Sequence, residues 1–316
     1  MPGTIVDATR PRRTKQSRRR LTGVDGGHFR AQEARFAALM ISPSLLVLLA
    51  VGTLPLVALL VMSLARIDLA SIRPNELVGF ENFRRMVEDD RFWHALRIML
   101  IYTFSSVTLQ LVIGLALALA LFQPLRGQGV LRVAVLLPMI LAPVVVGLSW
   151  RTLILTPDYG IVDFIARTIG LGSKPWLTDP NWALGSVIAI HTWQWTPFAF
   201  LVFTATLHAL PPEPFEAALI DGASAWQRFR DITLPLLRTT IVVIVIMRTM
   251  IALRAFDAIF SATGGGPGTA TEILNLYAYR VSFTSLDLGY GAALATVLLL
   301  LTAMISWVLF RLREQT

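Results

Sequence analysis

The chain is 316 residues long, 55% hydrophobic and only 15% charged, with a mean hydropathy of +0.64. A soluble domain carries charge on about a quarter of its residues, so this much apolar surface cannot be hidden in one water-soluble core, and the bilayer is its natural solvent. With no cysteine, disulfides, thiolate chemistry and Cys-ligated metals are excluded, and a large part of the net charge of +8 sits at the start of the chain.

That start carries Arg10, Arg12, Arg13, Lys15, Arg18, Arg19 and Arg20. Such a cluster can bind nucleic acid, but beside a membrane span it reads as a disordered cytoplasmic tail, with no nucleic-acid partner. The tail is assigned to residues 1–35 and the transmembrane domain to residues 36–316. The first apolar run begins near Ala37, too late and too long for the core of a cleaved signal peptide.

A spanning helix needs roughly 20 mostly apolar residues. Six stretches qualify: Ala37 to Leu64, His94 to Phe122, Leu131 to Leu155, Trp182 to Leu210, Leu236 to Ser261 and Leu288 to Leu309. The expected fold is all-α, a polytopic membrane protein with six transmembrane helices. Pro43, Pro55, Pro138, Pro143 and Pro197 fall inside these stretches, which a membrane bundle tolerates because neighbouring helices re-satisfy the freed backbone groups. Gly114, Ala116, Ala118 and Ala120 suit close helix approach. The lysine and arginine bias, dominated by the tail, puts both termini on the cytoplasmic side. Ile67 to Trp93, Thr156 to Asn181 and Thr263 to Asp287 then lie outside, and Pro211 to Pro235 lies inside.

That inner loop, PPEPFEAALIDGASAWQRFRDITLP, is too polar to span and too periodic for a slack linker. Phe215, Leu219 and Ile220 form an apolar stripe at helical spacing. Pro211, Pro212 and Glu213 suit a helix start, Gly222 breaks the run, and Ser224 with Gln227 fits a capping box for a second short helix. The pattern is a helix–Gly–helix element between two spans, able to dock into another protein and transmit force. Ala217, Ala218 and Ala223 permit close approach there, and Glu216 and Asp221 offer charges. The alternative is a helical hairpin lying on the membrane surface.

EAALIDGASAWQRFRDITLP resembles the EAA loop of ABC-importer permeases: Glu216, Ala217, Ala218, Gly222, Ile232, Leu234 and Pro235 fall on its pattern. LVGFENFRRMVEDDRFWHALRIMLIYT, starting at Leu77, FDAIFSATGGGPGTATEILNLYAYRVSF, starting at Phe256, and LDLGYGAALA at the last span are similar to the carbohydrate-uptake permeases of the maltose, trehalose and glycerol-phosphate type. The resemblance runs from about Arg35 to Leu312. It implies a type I ABC-importer permease fold in a bacterial cytoplasmic membrane. It also implies that Glu216, Ala217, Ala218, Asp221, Gly222 and Ala223 couple to an ATPase. The implied partners are a second related permease subunit, two cytoplasmic ATPase subunits that bind ATP and Mg, an extracytoplasmic solute-binding protein and a small-molecule sugar. The pattern around Ala223–Trp226 is closest to trehalose-type permeases.

The glycine run Gly264, Gly265, Gly266, Pro267, Gly268 lacks the Gly-Lys-Ser/Thr that a phosphate-cradling P-loop requires, and no P-loop occurs elsewhere. The run reads as an outer turn. No cofactor and no enzymatic activity are expected of this chain, which must borrow its motor. His28, His94, His191 and His208 lack metal-ligand spacing and read as packing or solvated residues.

Arg248, Arg254 and Asp257 lie within the fifth stretch. A charge at the midplane costs about 2.5–3.5 kcal/mol on insertion scales, so each must face the bundle interior, water or a partner. Arg254 and Asp257 can pair at i, i+3. Two readings stand: structural pairing between subunits, or a polar path for a hydroxyl-rich solute. Trp193, Gln194, Trp195 and Phe256 supply aromatic faces and hydrogen-bonding groups suited to a sugar, although both tryptophans could instead belong to an interfacial belt. An ion-gradient-driven secondary transporter is the alternative function, but Asp257 is the only acid in the six stretches and no inverted repeat is visible.

Overall fold

The computed structural model describes residues 26–70, 75–123 and 126–314, so the basic cluster before Gly26 lies outside the described residues. The chain divides into two compact units, residues 1–56 and 57–316. Helix α1, Gly26–Ser63, begins in the first. There Leu45, Leu46, Val47, Leu48 and Leu49 are all exposed. Five consecutive exposed apolar residues leave no polar face, the signature of a helix solvated by lipid.

Among its described residues the second unit is helical apart from a two-residue ladder, in which β1 (Ala65–Arg66) pairs antiparallel with β2 (Glu76–Leu77), and an isolated bridge between Asp68 and Asp287. Helices α2 (Glu81–Val87) and α3 (Asp90–Ala120) follow, then α4 (Gln128–Ile140) and α5 (Pro143–Ser149), which continues as a π turn over Trp150–Ile154. Next come α6 (Ile161–Thr168), α7 (Pro180–Ala209), α8 (Glu213–Ile220) and α9 (Ala225–Arg228). A π turn over Phe229–Thr233 leads to α10 (Leu234–Leu236) and α11 (Arg238–Ala252). The chain ends with α12 (Asp257–Thr263), α13 (Leu274–Tyr279), a π turn over Arg280–Thr284, and α14 (Leu288–Glu314).

The hydropathy pattern predicts six continuous spans, and two of them are broken. Ala38–Ser63, Asp90–Ala120 and Leu288–Arg311 are each long and apolar enough to cross a membrane alone. Gln128–Ile140 and Pro143–Ile154 meet at 102°, and Ala225–Leu236 and Arg238–Ala252 at 61°, so the count reaches five if each bent pair is one crossing. The first break follows from Pro143, which stands at a helix start and forces extended backbone on Ala142. The fifth stretch also stops at Ala252 and restarts at Asp257. Helix α7, with 30 residues, rises about 45 Å at ~1.5 Å per residue, but His191, Thr192, Gln194 and Thr196 make its centre polar. Those four are all buried, so the polar centre faces protein.

Breaks at membrane depth expose backbone carbonyls that must be satisfied inside the protein. Gln194 Nε2 donates to the Leu141 carbonyl at 3.1 Å, and Asn275 Nδ2 donates to the Ala255 carbonyl at 3.1 Å. The segments beyond the two breaks, α5 and α12, pack on each other. Their approach is closest at Gly147, where an added Cβ would lie 2.0 Å from Ser261 Oγ.

Helix α3 packs along α7. Gly114 and Ala118 make that seam: both are buried, and a Cβ on Gly114 would lie 2.7 Å from Ala199 Cβ. Ala116 and Ala120, on the other side of the helix, are exposed. The main core gathers Met99, Tyr102, Leu253, Ile259, Ile273, Leu274, Tyr290 and Leu294, and a second gathers Ala118, Phe200, Phe203, Leu237 and Ile244. At the α3 start, fully buried Glu272 accepts from Arg91 at 2.7 and 2.9 Å and from Arg280 at 2.6 Å. The Tyr277 and Tyr290 hydroxyls both donate to Asp89 Oδ2 at 2.5 Å. Burial alone would raise the Asp89 pKa, but these hydroxyls together with the Arg91 and Phe92 amides outweigh it and hold it below its ordinary value. The glycine run is indeed a turn here, tied by Thr263 Oγ1 to Thr271 Oγ1 at 2.7 Å.

Candidate functional site

Two places in the second unit concentrate chemistry: the elbow between α7 and α11, and a buried polar cluster in the bundle.

The elbow is built as its residues predict. Helix α8 ends in a reciprocal closure: the Gly222 N–H bonds to the Leu219 carbonyl at 3.1 Å and the Ala223 N–H to the Ala218 carbonyl at 2.9 Å. That closure needs a left-handed residue, which Gly222 supplies at φ +75°. Two residues on, Ser224 opens α9 with a complete capping box: its N–H donates to Gln227 Oε1 at 2.7 Å, and Gln227 N–H donates to Ser224 Oγ at 3.3 Å. One helix is thus closed and the next opened within three residues, which makes a stiff corner.

Glu216, Ala217, Asp221 and Gly222 are exposed, and Ala218 and Ala223 are half-buried. The expected stripe splits. Phe215 turns inward to line a cleft of about 420 Å³ with Leu119 and Phe229, while Leu219 and Ile220 stay exposed at 56% and 87%. Trp226, 65% exposed and 5.4 Å from the Phe229 ring, extends this apolar face. Trp226 stood in the sequence only as part of the Ala223–Trp226 pattern, and its place on this face was not expected, although an aromatic beside the Gly222–Ser224 corner was a usable signal. Beyond it, Arg230 is ion-paired with Asp231 at 2.7 Å.

The buried cluster centres on Arg248, which is fully buried. Its Nε donates to Gln110 Oε1 at 2.8 Å, and Gln110 Nε2 donates to His191 Nδ1 at 3.2 Å. The guanidinium lies 4.5 Å from the Trp195 ring centre and 5.9 Å from that of Phe198. The His191 ring packs on Tyr102 at 5.0 Å. Both Arg248 Nη atoms and the Tyr102 hydroxyl are buried without a hydrogen-bond partner among the described residues. Among the described residues, π-faces and one amide oxygen, rather than a carboxylate, carry the Arg248 charge. His191, expected to be a packing residue, is one, and it also orients Gln110. Gln110 was not singled out: a lone Gln in an apolar stretch gives no periodic signal.

The remaining residues expected on a substrate path do not converge on Arg248. Trp193 packs edge-on against Trp150 at 5.4 Å and lines an apolar cleft of about 550 Å³ with Leu109, Ile113, Pro138 and Thr192. Gln194 is occupied by the α4–α5 break, although its Oε1 has no partner among the described residues. Phe256 stacks on Phe260 at 5.3 Å and meets Tyr279 edge-on at 5.3 Å. The expected Arg254–Asp257 pair does not form. The helix breaks between them, Arg254 Nε donates to the Met250 carbonyl at 3.2 Å, and both residues are exposed. Trp195 lies halfway along α7, with the buried Arg248 guanidinium over its ring.

The family described as binding-protein-dependent transport system inner membrane component matches residues 110–314, from Gln110 through the elbow and Arg248 to the end of α14. The trehalose/maltose transport system permease protein of Thermococcus litoralis is 38% identical over 264 residues, 84% of this chain and 88% of that relative. The trehalose transport system permease protein of Mycobacterium tuberculosis is 34% identical over 283 residues, 90% of each. Among solved structures, a bacterial ABC transporter involved in the import of the acidic polysaccharide alginate superposes with a TM-score of 0.78 at 22% identity, over 91% of this chain and 98% of that one.

Proposed function

The chain belongs to the family of binding-protein-dependent transport system inner membrane components, and on that premise we propose that the solute it passes is a sugar, with trehalose-type disaccharides the first candidates. It is the multi-pass membrane component of an ABC importer, not the subunit that burns ATP. The sugar assignment is supported by relatives named for trehalose and maltose, at 38% and 34% identity, that span most of the chain.

The proposed assembly holds two related permeases, two cytoplasmic ATPase subunits and one extracytoplasmic binding protein. The chain crosses six times, counting α7, the bent pair α4–α5, and α11 with α12 as one crossing each, with both termini inside. One observation carries the coupling role: a corner stiffened by a left-handed glycine and a capping box, exposed between two membrane-crossing elements, with Glu216, Ala217, Asp221 and Gly222 on its surface. A slack loop would absorb a push, whereas this corner passes it on. Closure of the ATPase subunits on ATP moves the elbow, with Ala218 and Ala223 at its close contacts, and shifts the bundle between inward-open and outward-open states. Nucleotide can drive that shift only through its differential affinity for the two states.

The proposed path runs past Trp193, Gln194, Trp195 and Arg248, with Arg254, Phe256 and Asp257 nearer the opposite end. The Arg248 Nη donors are covered by Trp195 and Phe198 in this state, so access to them depends on the bundle opening. The test is purification of the permease with its ATPase subunits, reconstitution in liposomes with the binding protein, and uptake of a labelled sugar panel that includes trehalose and maltose. ATP-dependent accumulation of one sugar is expected. Uptake on an ion gradient alone, or a chain that never co-purifies with an ATPase, would refute the reading.

A further inference from the structure

Helix α6 is inside-out. Asp163 and Ala166 face inward and are buried, while Ile161, Phe164, Ile165 and Ile169 form the outer face at i, i+3, i+4 and i+8. Those four are 62%, 62%, 52% and 66% exposed, and Tyr159 and Leu171 extend the face on either side. Burying the carboxylate and exposing the apolar side is the reverse of what water selects.

The orientation is clamped. Asp163 Oδ1 accepts from Ser173 Oγ at 3.1 Å, Lys174 N–H at 3.0 Å and Trp176 Nε1 at 3.0 Å, and Oδ2 accepts from Asp158 N–H at 2.8 Å. Arg167 Nε adds an ion pair at 3.4 Å. With every lone pair engaged, the helix cannot roll its apolar face inward without breaking this set.

We infer that α6 is an interfacial anchor whose exposed face lies in the headgroup–acyl boundary of the leaflet opposite the elbow. Two competing occupants are a soluble partner and a second protein subunit. A face that met its soluble partner only during transport would stand in water the rest of the time, whereas lipid covers it permanently. The surroundings are those of a boundary. Lys174 Nζ lies 5.9 Å from the Trp182 ring centre, and Trp176 and Trp182 pack edge-on at 5.3 Å, the aromatic and cationic mixture found at headgroup depth. The apolar face continues into Leu153, 65% exposed, on the π turn just before α6. Helix α7 rises about 45 Å against roughly 30 Å of hydrocarbon, so its first turns stand at or above the boundary, and the 173–176 segment that holds Asp163 is fastened to them by the Ser186 hydroxyl, which donates to the Trp176 carbonyl at 2.8 Å. Anchored there, α6 fixes the far end of the broken third crossing while the opposite end moves with the elbow.

The native chain has no cysteine, so Phe164→Cys, Ile165→Cys and Ile161→Cys can each carry a single nitroxide, with Thr178→Cys as the aqueous control. The assembled complex in phosphatidylethanolamine/phosphatidylglycerol nanodiscs would be probed by power saturation with oxygen and with a water-soluble nickel chelate. Oxygen collision exceeding nickel collision several-fold at the three α6 sites, and the reverse at Thr178→Cys, is expected. Nickel access at α6 equal to that of the control would overturn the inference in favour of a water-exposed face. Low collision with both reagents would overturn it in favour of a subunit interface. Nickel access abolished only by added binding protein would overturn it in favour of a docking site. Should one variant fail to assemble, the other two carry the same readout.

Discussion

Gly222 is where a small perturbation tests the elbow most directly. Its φ of +75° is left-handed, and a Cβ built there meets nothing within 4 Å. Gly222→Ala therefore introduces no clash and strains the backbone alone, by about 1–2 kcal/mol. If the ATPase grips the elbow in this conformation, the strain weakens docking by about 5- to 30-fold, at 1.4 kcal/mol per decade. Gly222→Asn costs less, because its short polar side chain tolerates the left-handed region. Gly222→Pro should abolish docking, since proline fixes φ near −65° and removes the N–H that bonds the Leu219 carbonyl at 3.1 Å. The assay is the affinity of labelled ATPase subunits for the permease in nanodiscs, with ATP-driven uptake measured in parallel. The expected order is Gly, Asn, Ala, Pro, in both readouts. Proline and alanine variants that bind and transport like the native chain would show that the corner transmits nothing.

Two further outcomes follow from the buried groups. Arg248 is fully buried and has no carboxylate partner among the described residues. Replacing such a charge by an apolar side chain of similar volume is neutral or stabilising in many proteins, by ~1–4 kcal/mol. Arg248→Met should thus unfold no earlier than the native chain in detergent yet lose most uptake, whereas an equal fall in both would mark Arg248 as purely structural. For Asp163, burial alone would raise the pKa, but the Lys174 and Asp158 amides, the Ser173 hydroxyl and the Trp176 indole outweigh it and hold the carboxyl down to about 2, below its ordinary 3.8. A depressed carboxyl contributes stability that is complete above its ordinary value and lost as pH falls through the folded one. Nitroxide mobility on α6 should then be flat from pH 8 to 5 and rise only below about pH 4, while Asp163→Asn should be mobile at pH 7. A transition near pH 6 would contradict the clamp.

Composition and hydropathy determined that the chain lives in a bilayer, because 55% hydrophobic residues and 15% charged ones leave no soluble alternative. They also located the helices. The elbow was legible to the residue, since Gly222, Ser224 and Gln227 act through their own backbone and nearest neighbours, which short-range pattern captures. Breaks in two crossings were not legible. Pro143 starts a new helix while Pro197 sits within one, so the residue type alone does not mark the break, and the side chain that satisfies the opened Leu141 carbonyl, Gln194, comes from a distant helix. The pairing of Arg248 with Gln110, the separation of Arg254 from Asp257, and the outward apolar face of α6 were likewise decided by tertiary structure. The first and last depend on contacts between separate elements: α3 against α11, and the 173–176 segment against Asp163. Local spacing cannot state such contacts, because a buried charge takes its partner from whatever the fold carries to it.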